Sequence, residues 1–395
     1  MFLMIGTFSS LSVTNHHFIG KNADTSIENY QLDYEYYTYD EMTDLLFDLG
    51  ESDSDIMSLA SLGTTYEERN VWMVKLSDNV EINEDEPCVL LMGAHHGNEK
   101  PSYEALIFFI KHIVENYGKE NTDDDGDGSL NEDIIDGVDN DNDGQVDEDP
   151  SEDRVRDAVD NTEIFVIPMV NPDGVEACTR KNRALKEGQT ENIGVDLNRN
   201  YGFKWELYDW FPVKYGNQWT SNPESWNYRG ECPFSEKESS AVKDFVESED
   251  INISLSYHSY GEFIIYPWMH TSQITPHEDL FISVGEGMAS ISKYDLNRGK
   301  GTIFPWPGGT IGTSENWLYG EQNILSFTIE LCKTRAPTNP TVVYDYCITH
   351  VGVNLYVCER ASSIHIEKSV LSNSNSMPYL NFLLLLKNKI TFINV

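Results

Sequence analysis

The chain has 395 residues, with 66 Asp and Glu against 27 Lys and Arg, and its formal net charge is −39. This balance excludes a nucleic-acid-binding protein, because phosphate backbones are bound by clustered Lys and Arg. Hydrophobic residues make up 39% of the chain and aromatic residues 12%, which is too much apolar material for a disordered acidic chain. We therefore expect a folded protein.

The two ends of the chain differ in pattern from its middle. Residues 1–30 begin with an apolar run but lack the basic residues that open a standard signal peptide, so we expect a leader or a disordered N-terminus. Residues 366–395 are predicted to form a C-terminal tail. The most apolar stretch, 380–386, ends at Lys387, so no membrane span is expected. The expected location is extracellular or at the cell surface.

Short apolar runs alternate with helical patterns through the middle of the chain. The helical patterns lie at 39–46, 103–114 and 236–246, and the strand-like runs lie at 71–76, 88–93, 164–170, 253–257 and 325–329. Strands that alternate with helices predict an α/β layered fold with a largely buried sheet. In such folds, sites gather at the carboxyl ends of the strands.

An acidic segment at 121–153 holds 15 Asp or Glu and no Lys or Arg. Within it the pattern D-x-D-x-D-G occurs twice, 16 residues apart. The aspartates in question are Asp123, Asp125, Asp127, Asp139, Asp141 and Asp143. Oxygen ligands at alternate positions, with Gly for the tight turn, are typical of Ca²⁺ loops. We expect up to two structural Ca²⁺ ions here; a solvated acidic loop is the alternative.

The calcium loops differ from an EF-hand at their twelfth position. An EF-hand carries a bidentate Glu there, whereas Ile134 and Pro150 stand at that position here. The two repeats therefore resemble the calcium repeats of dockerin or thrombospondin type.

A candidate metal site follows the run at 88–93. His96 and Glu99 are three residues apart at a strand-to-helix turn, where they can bind one metal together. A catalytic zinc needs three protein ligands and an open position, and His258, at the end of the run 253–257, is the best third candidate. His95 competes with His96 for the first position.

A series of further motifs follows in chain order. They are Asn171-Pro172-Asp173-Gly174, Arg180-Lys181-Asn182-Arg183, Val195-Asp196-Leu197-Asn198-Arg199-Asn200-Tyr201-Gly202, Tyr228-Arg229-Gly230 with Pro233-Phe234-Ser235-Glu236, His258-Ser259-Tyr260 and Phe327-Thr328-Ile329-Glu330-Leu331. Together with His96-Gly97-Asn98-Glu99, from about residue 34 to 331, this series resembles the zinc metallocarboxypeptidases of the carboxypeptidase A type.

The resemblance implies a fold and an activity. The fold would be a single catalytic α/β domain over residues 31–365, with a mixed, mostly parallel twisted sheet flanked by helices and with 121–153 inserted into it. The activity would be hydrolysis of the C-terminal peptide bond of peptides or proteins, by a chain that we expect to be a monomer.

The resemblance also implies roles at the metal. His96, Glu99 and His258 would hold one Zn²⁺ ion, which activates water and polarises the scissile carbonyl. Glu330 would be the general base that takes the proton of the attacking water and delivers it to the leaving amine. Asp196 would orient a ligand histidine.

Four further residues would bind the substrate or its transition state. Arg180 matches the arginine that stabilises the oxyanion, and Arg183 is its competitor. Asn198 and Arg199 match the pair that clamps the terminal carboxylate, which a guanidinium grips with two parallel hydrogen bonds.

Two departures from the family pattern concern substrate contacts. Phe304 stands four residues before Gly308-Gly309, where many relatives carry a mobile tyrosine, so another residue must make that contact or it is missing. Glu315 stands where it could reach the base of the specificity pocket and favour a C-terminal Lys or Arg. An exposed loop glutamate is the alternative.

Two other functions remain open on the sequence. One is a zinc amidohydrolase acting on small N-acyl amino acids, similar to aspartoacylase, which would share the H-x-x-E start. The other is an inactive module that binds C-terminal tails. The Asn198-Arg199 pair, the Arg180 cluster and the full order of the motifs favour the peptidase over the amidohydrolase. Intact metal ligands and Glu330 argue against the inactive module.

Overall fold

The computed structural model of the protein describes residues 34–52, 55–118, 152–183, 193–206, 221–299 and 310–366. The predicted leader, all six predicted calcium ligands, Phe304 and nearly all of the predicted tail lie outside the described residues.

The described residues form eight strands and eight helices. The strands are β1 Met57–Thr64, β2 Asn70–Leu76, β3 Cys88–Met92, β4 Glu163–Ile167, β5 Ile251–Ser259, β6 Phe263–Tyr266, β7 Asp295–Arg298 and β8 Leu325–Leu331. The helices are α1 Tyr39–Ser52, α2 Pro101–Asn116, α3 Glu152–Asp160, α4 Pro172–Glu176, α5 Lys237–Val246, α6 Glu278–Ser292, α7 Ser314–Gly320 and α8 Pro340–Ala361.

All eight strands belong to one mixed sheet in the order β1-β2-β4-β3-β5-β8-β6-β7. Its centre is parallel, because β3 pairs in parallel with β4 and β5, and β5 pairs in parallel with β8. The pairs β1–β2, β2–β4 and β6–β8 are antiparallel, while the edge pair β6–β7 is parallel. The predicted α/β fold with a mixed, mostly parallel sheet flanked by helices is confirmed.

The central strands are apolar because both of their faces are covered. Every residue of β3 and β4 is buried, and continuous apolar runs are the expected pattern for parallel strands between two helical layers. Helix α8 packs against α2 and α6 and also contacts β3 and β5. The predicted strand runs therefore coincide with the best-covered part of the sheet.

The sequence patterns did not indicate α8 or the strands β1, β6 and β7. Helix α8 contacts α2, α3, α6 and the sheet, so its buried residues lie on several sides and no single apolar stripe marks it. Strand β1 is half exposed and lies at an edge of the sheet, and β6 and β7 have only four residues each. In the part of the chain described here, no helix combines the length and apolarity that crossing a bilayer requires.

The topology brings the candidate site residues to one edge of the sheet. His258 on β5 is the register partner of Glu330 on β8. On the other side of β5, Met92 at the end of β3 pairs with Ser256, so the loop that carries His96 and Glu99 begins at the same edge. Because β3, β5 and β8 are parallel, their carboxyl ends meet there.

Glu104, in the first turn of α2, is a buried carboxyl that is not one of the candidate site residues. It is 2% exposed, and it accepts hydrogen bonds of 2.5 Å from the Tyr34 hydroxyl and 3.3 Å from the Tyr37 backbone N–H. Burial raises the pKa of Glu104 from 4.5 to about 7, although the two hydrogen bonds oppose this shift. The folded protein holds the proton up to about pH 7, and the unfolded chain releases it near pH 4.5. The contribution of Glu104 to stability therefore falls as the pH rises through this window.

A Glu104→Gln variant is expected to show a weaker loss of stability with rising pH than the wild-type chain. From the raised pKa, the wild type should lose about 2 to 3 kcal/mol through this one group between pH 5 and pH 8, and the variant should lose none of it. Urea unfolding at the two pH values measures the difference. The matched control is Glu115→Gln, at an exposed position on the same helix. Equal pH dependence of the two variants would contradict the expectation.

Candidate metal centre

His96, Glu99 and His258 come together as a buried trio. Their candidate ligand atoms all lie within 4.8 Å of one another, and the three side chains are 4%, 4% and 2% exposed. The Nδ1 atoms of His96 and His258 are 3.2 Å apart, and they lie 3.0 Å and 2.9 Å from the two carboxylate oxygens of Glu99. Two imidazole nitrogens and a carboxylate that converge in this way form a donor set that suits Zn²⁺.

Charge within the trio also suits a cation. Burial lowers the pKa of His258, which favours the neutral imidazole that a metal requires. Burial by itself would raise the pKa of Glu99, but the neighbouring His96 and His258 outweigh it and hold the pKa of Glu99 well below its usual range. Glu99 is therefore a carboxylate, as a ligand must be.

The loop that carries His96 and Glu99 is fixed by the Asn171-Pro172-Asp173-Gly174 motif. A Cβ atom on Gly97 would lie 1.9 Å from the backbone carbon of Gly174, so only glycine allows the two segments to pack this closely. The Asn171 side chain accepts a 2.8 Å hydrogen bond from the Gly174 N–H and donates one of 3.2 Å to the carbonyl of His95. This contact explains why the two motifs occur together.

Asp196 joins the trio to an arginine. Its Oδ1 atom is 2.9 Å from His96 Nε2, and its Oδ2 atom accepts a 2.8 Å hydrogen bond from Arg180 Nε. Burial would raise the pKa of Asp196, but Arg180 and His96 hold it well below its usual range. Arg180 Nη1 also lies 3.2 Å from His96 Nδ1 and 3.4 Å from Glu99.

His95 is not one of the trio. Its Nε2 atom is 2.8 Å from the Tyr201 hydroxyl, and its Nδ1 atom is 3.3 Å from the Ser256 hydroxyl. Burial lowers the pKa of His95 well below its usual value. The structure therefore favours His96 over His95 as the partner of Glu99 and His258.

Asn198 and Arg199 lie beside the trio, on a single 3₁₀ turn. Asn198 Nδ2 is 3.2 Å from His258 Nε2, and Asn198 Oδ1 accepts a 2.9 Å hydrogen bond from the Ser314 N–H. Arg199 Nη1 donates a 2.5 Å hydrogen bond to the Asn198 carbonyl. In this structure Asn198 thus supports a histidine of the trio.

Arg183 lies beside Tyr66 and Glu236 and not beside the trio. Its guanidinium carbon is 3.7 Å from the centre of the Tyr66 ring, and its Nη2 atom is 3.4 Å from Glu236. These residues line a cavity of about 480 Å³. No hydrogen bond or ion pair among the described residues links Arg183 to the trio, so of the two competing arginines only Arg180 reaches it.

Glu330 sits on the strand beside His258, with its side chain on the same face of the sheet. Burial and the negative charge of Glu99 raise its pKa from 4.5 to about 8, although Arg180 and Arg199 oppose the shift. The side chain is only partly accessible to solvent.

Glu315 is 1% exposed, in the first turn of α7. The alternative of an exposed loop glutamate is therefore wrong. Burial raises the pKa of Glu315, although hydrogen bonds from the Thr313 and Thr328 hydroxyls and the charge of Arg199 oppose this shift.

Trp226 is a neighbour of this site that the motif analysis missed. Its ring centre lies 4.7 Å from the guanidinium carbon of Arg180, and its side chain is 53% exposed. It precedes the Tyr228-Arg229-Gly230 motif by two residues. That closeness to a motif is the only sequence feature that could have indicated a place beside the site.

Comparisons with known proteins agree with this geometry. The zinc carboxypeptidase family model matches residues 42–347. The chain is 26% identical over 310 residues to a zinc carboxypeptidase of Saccharothrix mutabilis subsp. capreolus, which covers 75% of this chain and 62% of that protein. It is 26% identical over 311 residues to carboxypeptidase A1 of Mus musculus, with 76% and 63% covered. The solved structure of thrombin activatable fibrinolysis inhibitor has a TM-score of 0.65 at 20% identity, with 83% of this chain and 75% of that chain covered.

The match spans less than two thirds of the length of both curated relatives. The family model nevertheless covers well over half of the 395 residues, and it includes His96, Glu99, His258 and Glu330. The resemblance inferred from the ordered motifs is confirmed at the level of the family, and the fold agrees with it. The chain belongs to the zinc carboxypeptidase family.

Proposed function

We propose that this chain is a zinc-dependent metallocarboxypeptidase that hydrolyses the C-terminal peptide bond of peptides. The observation that carries the proposal is the buried trio of His96, Glu99 and His258, with Glu330 next to it on the neighbouring strand. Zinc bound by the trio would supply a Lewis acid that polarises the scissile carbonyl and lowers the pKa of water. An intact trio with a carboxyl beside it also supports an enzyme over an inactive binding module.

Glu330 is the residue that we propose as general base. It would accept a proton from the attacking water as the oxygen–carbon bond forms, and then donate that proton to the amine as the carbon–nitrogen bond breaks. Its position beside His258, with burial on most sides, supports this role, because a carboxyl with a raised pKa exchanges protons most readily near neutral pH.

Arg180 and Asp196 are proposed to act together. The Arg180 guanidinium would stabilise negative charge on the carbonyl oxygen in the transition state. Asp196 holds both Arg180 Nε and His96 Nε2, so one buried carboxylate orients the oxyanion donor and a ligand histidine. Because Arg183 has no contact with the trio, we assign this role to Arg180 alone.

Arg199, with Asn198 beside it, is proposed to bind the terminal carboxylate of the substrate. A guanidinium binds a carboxylate through two parallel hydrogen bonds, and this contact would limit the enzyme to chain ends. Asn198 lies between Arg199 and His258, so the carboxylate would be held close to the trio.

Glu315 is proposed to select a C-terminal Lys or Arg. A buried carboxylate is costly unless a cation pairs with it, and a cationic side chain entering the pocket would form such a pair. The raised pKa of Glu315 is the consequence of its burial.

The test of the function is amino-acid release from three peptides that differ only in ending with Phe, Lys or Glu. We expect release of the last residue, loss of activity on chelation, and recovery when zinc is added back. An N-acetyl amino acid serves as the fourth substrate. Hydrolysis of that compound without release from any peptide would favour the aspartoacylase-like alternative and contradict the proposal.

We also propose that the acidic segment 121–153 binds up to two structural Ca²⁺ ions. The support is the spacing of its two D-x-D-x-D-G repeats, since a random acidic run would not conserve alternate ligand positions over 16 residues. Calcium added to chelated protein is expected to raise the melting temperature, and replacing Asp125 and Asp141 with Asn should weaken that rise. No calcium-dependent change in melting temperature would contradict the proposal.

The domain boundaries, oligomeric state and location of the protein are also proposals. We propose a single catalytic domain over residues 31–365 that contains the acidic insertion, with a leader or a disordered N-terminus before it and a tail after it. We further propose that the enzyme is a monomer at the cell surface or outside the cell and that its substrates are peptide or protein C-termini. Light scattering during gel filtration tests the oligomeric state.

A further inference from the structure

Trp226 is an exposed aromatic residue placed against a buried charge network. Its side chain is 53% exposed, yet its ring centre lies only 4.7 Å from the guanidinium carbon of Arg180. This distance falls within the range of a cation–π contact, for which Trp is the strongest aromatic partner.

The Arg180 guanidinium contacts Asp196 through one nitrogen and two residues of the trio through another. Its Nε atom donates to Asp196, which is fully buried. Its Nη1 atom lies near His96 Nδ1 and Glu99 Oε1, which belong to the trio. A metal ion bound at His96 Nδ1 would occupy the one lone pair that faces Arg180 Nη1, and its positive charge would repel the guanidinium. The Nη1 contacts would therefore hold Arg180 more weakly when the metal is bound.

Among the described residues, the Asp196 hydrogen bond and the Trp226 ring are then the main contacts that orient the guanidinium. The hydrogen bond to Asp196 holds one edge of the group but allows it to rotate about that bond. The Trp226 ring, placed against the guanidinium, restricts this rotation. An oxyanion donor that is already oriented stabilises the transition state without reorganisation, so orientation matters more here than for an ordinary surface arginine.

We propose that Trp226 is a positioning residue that fixes the Arg180 guanidinium against Asp196 for transition-state stabilisation. The proposal rests on the proposed carboxypeptidase function, and it adds a residue that no motif assigned.

The kinetic test compares Trp226→Ala, Trp226→Phe and the wild type on one peptide substrate. From the strength of cation–π contacts, Trp226→Ala is expected to lower kcat by about threefold to tenfold, with KM changed by less than about twofold. Trp226→Phe keeps an aromatic face and should recover most of the loss. Zinc content and melting temperature are measured for every variant, so that misfolded protein is recognised.

Tyr66→Ala is the matched control. It removes an arginine–aromatic contact of the same kind, with Arg183 at 3.7 Å, from a side chain that is 41% exposed. Because Arg183 has no contact with the trio, kcat should not change. A drop in kcat equal to that of Trp226→Ala would contradict the proposal, since the effect would then not depend on Arg180.

A double-mutant cycle separates positioning from direct substrate contact. In an Arg180→Lys background, Trp226→Ala is expected to have little further effect, because its action passes through the guanidinium. A full additional loss in that background would overturn the proposal.

A spectroscopic readout does not depend on activity. In protein labelled with ¹⁵N-arginine, the Arg180 Nε–H signal, assigned through Arg180→Lys, should shift and broaden in Trp226→Ala but not in Tyr66→Ala. The experiment is made with and without zinc. If the wild type released no amino acid, the proposed function would fail while this measurement still tested the placement of Arg180. An unchanged Arg180 signal in Trp226→Ala would refute the positioning role.

Discussion

A Glu330→Gln variant is expected to bind zinc like the wild type but to release C-terminal amino acids about 10³-fold more slowly, the scale of a lost general base. Gln has nearly the same shape as Glu but cannot accept and return a proton. A loss in kcat can therefore be attributed to the missing proton transfer. Glu330 is not one of the three residues whose ligand atoms converge, and the metal donor set should therefore remain intact.

The measurement combines zinc content, by elemental analysis, with the rate of amino-acid release. Glu247→Gln is the control, because it makes the same chemical change at an exposed carboxylate paired with Lys243. It should have wild-type activity. Turnover of Glu330→Gln at the wild-type rate would show that Glu330 is not the general base. Loss of zinc from the variant would show that Glu330 supports the metal site instead.

A Glu315→Gln variant is expected to lose the proposed preference for C-terminal Lys over Phe by about 100-fold or more, since the buried carboxylate is the proposed partner of the cationic side chain. The ratio of kcat/KM values for two peptides that differ only in the last residue measures the preference. Glu321→Gln, at an exposed position just after α7, is the control.

Stability gives a second readout on Glu315. Burial raises the pKa of Glu315 and so disfavours its charged form, and removing the charge should therefore raise the melting temperature of the substrate-free protein. If the wild type preferred Phe, or if the variant kept the wild-type preference, Glu315 would not be the residue that selects the C-terminal side chain. A lower melting temperature would indicate that its charge has a stabilising partner.

The central sheet could be predicted because burial on both faces leaves a strong pattern in the sequence. The run Cys88–Met92 is wholly apolar, and it became β3 in the middle of the sheet. The short strands β6 and β7, at one side of the sheet, could not be predicted, since four residues with mixed burial carry too little pattern. Helix α8 was missed because it is buried on several sides and shows no single stripe.

The candidate ligands could be predicted because their spacing and their strand-end positions are local features. His96 and Glu99 share one turn, and His258 ends a strand that lies beside that turn in any parallel arrangement of β3 and β5. The choice between His95 and His96 could not be made locally, since neighbouring residues point in different directions and only the packed sheet shows which one faces Glu99.

Residue types and their spacing along the chain were enough to identify two imidazoles and two carboxylates near strand ends and an ordered series of motifs typical of the family. Which of these side chains meet became clear only from the packed fold. The fold separated Arg180 from Arg183, buried Glu315, and placed Trp226 beside Arg180. The physical reason is that residue type and spacing along the chain are local properties, whereas burial and contact depend on segments that lie far apart in sequence and pack together only in the folded protein.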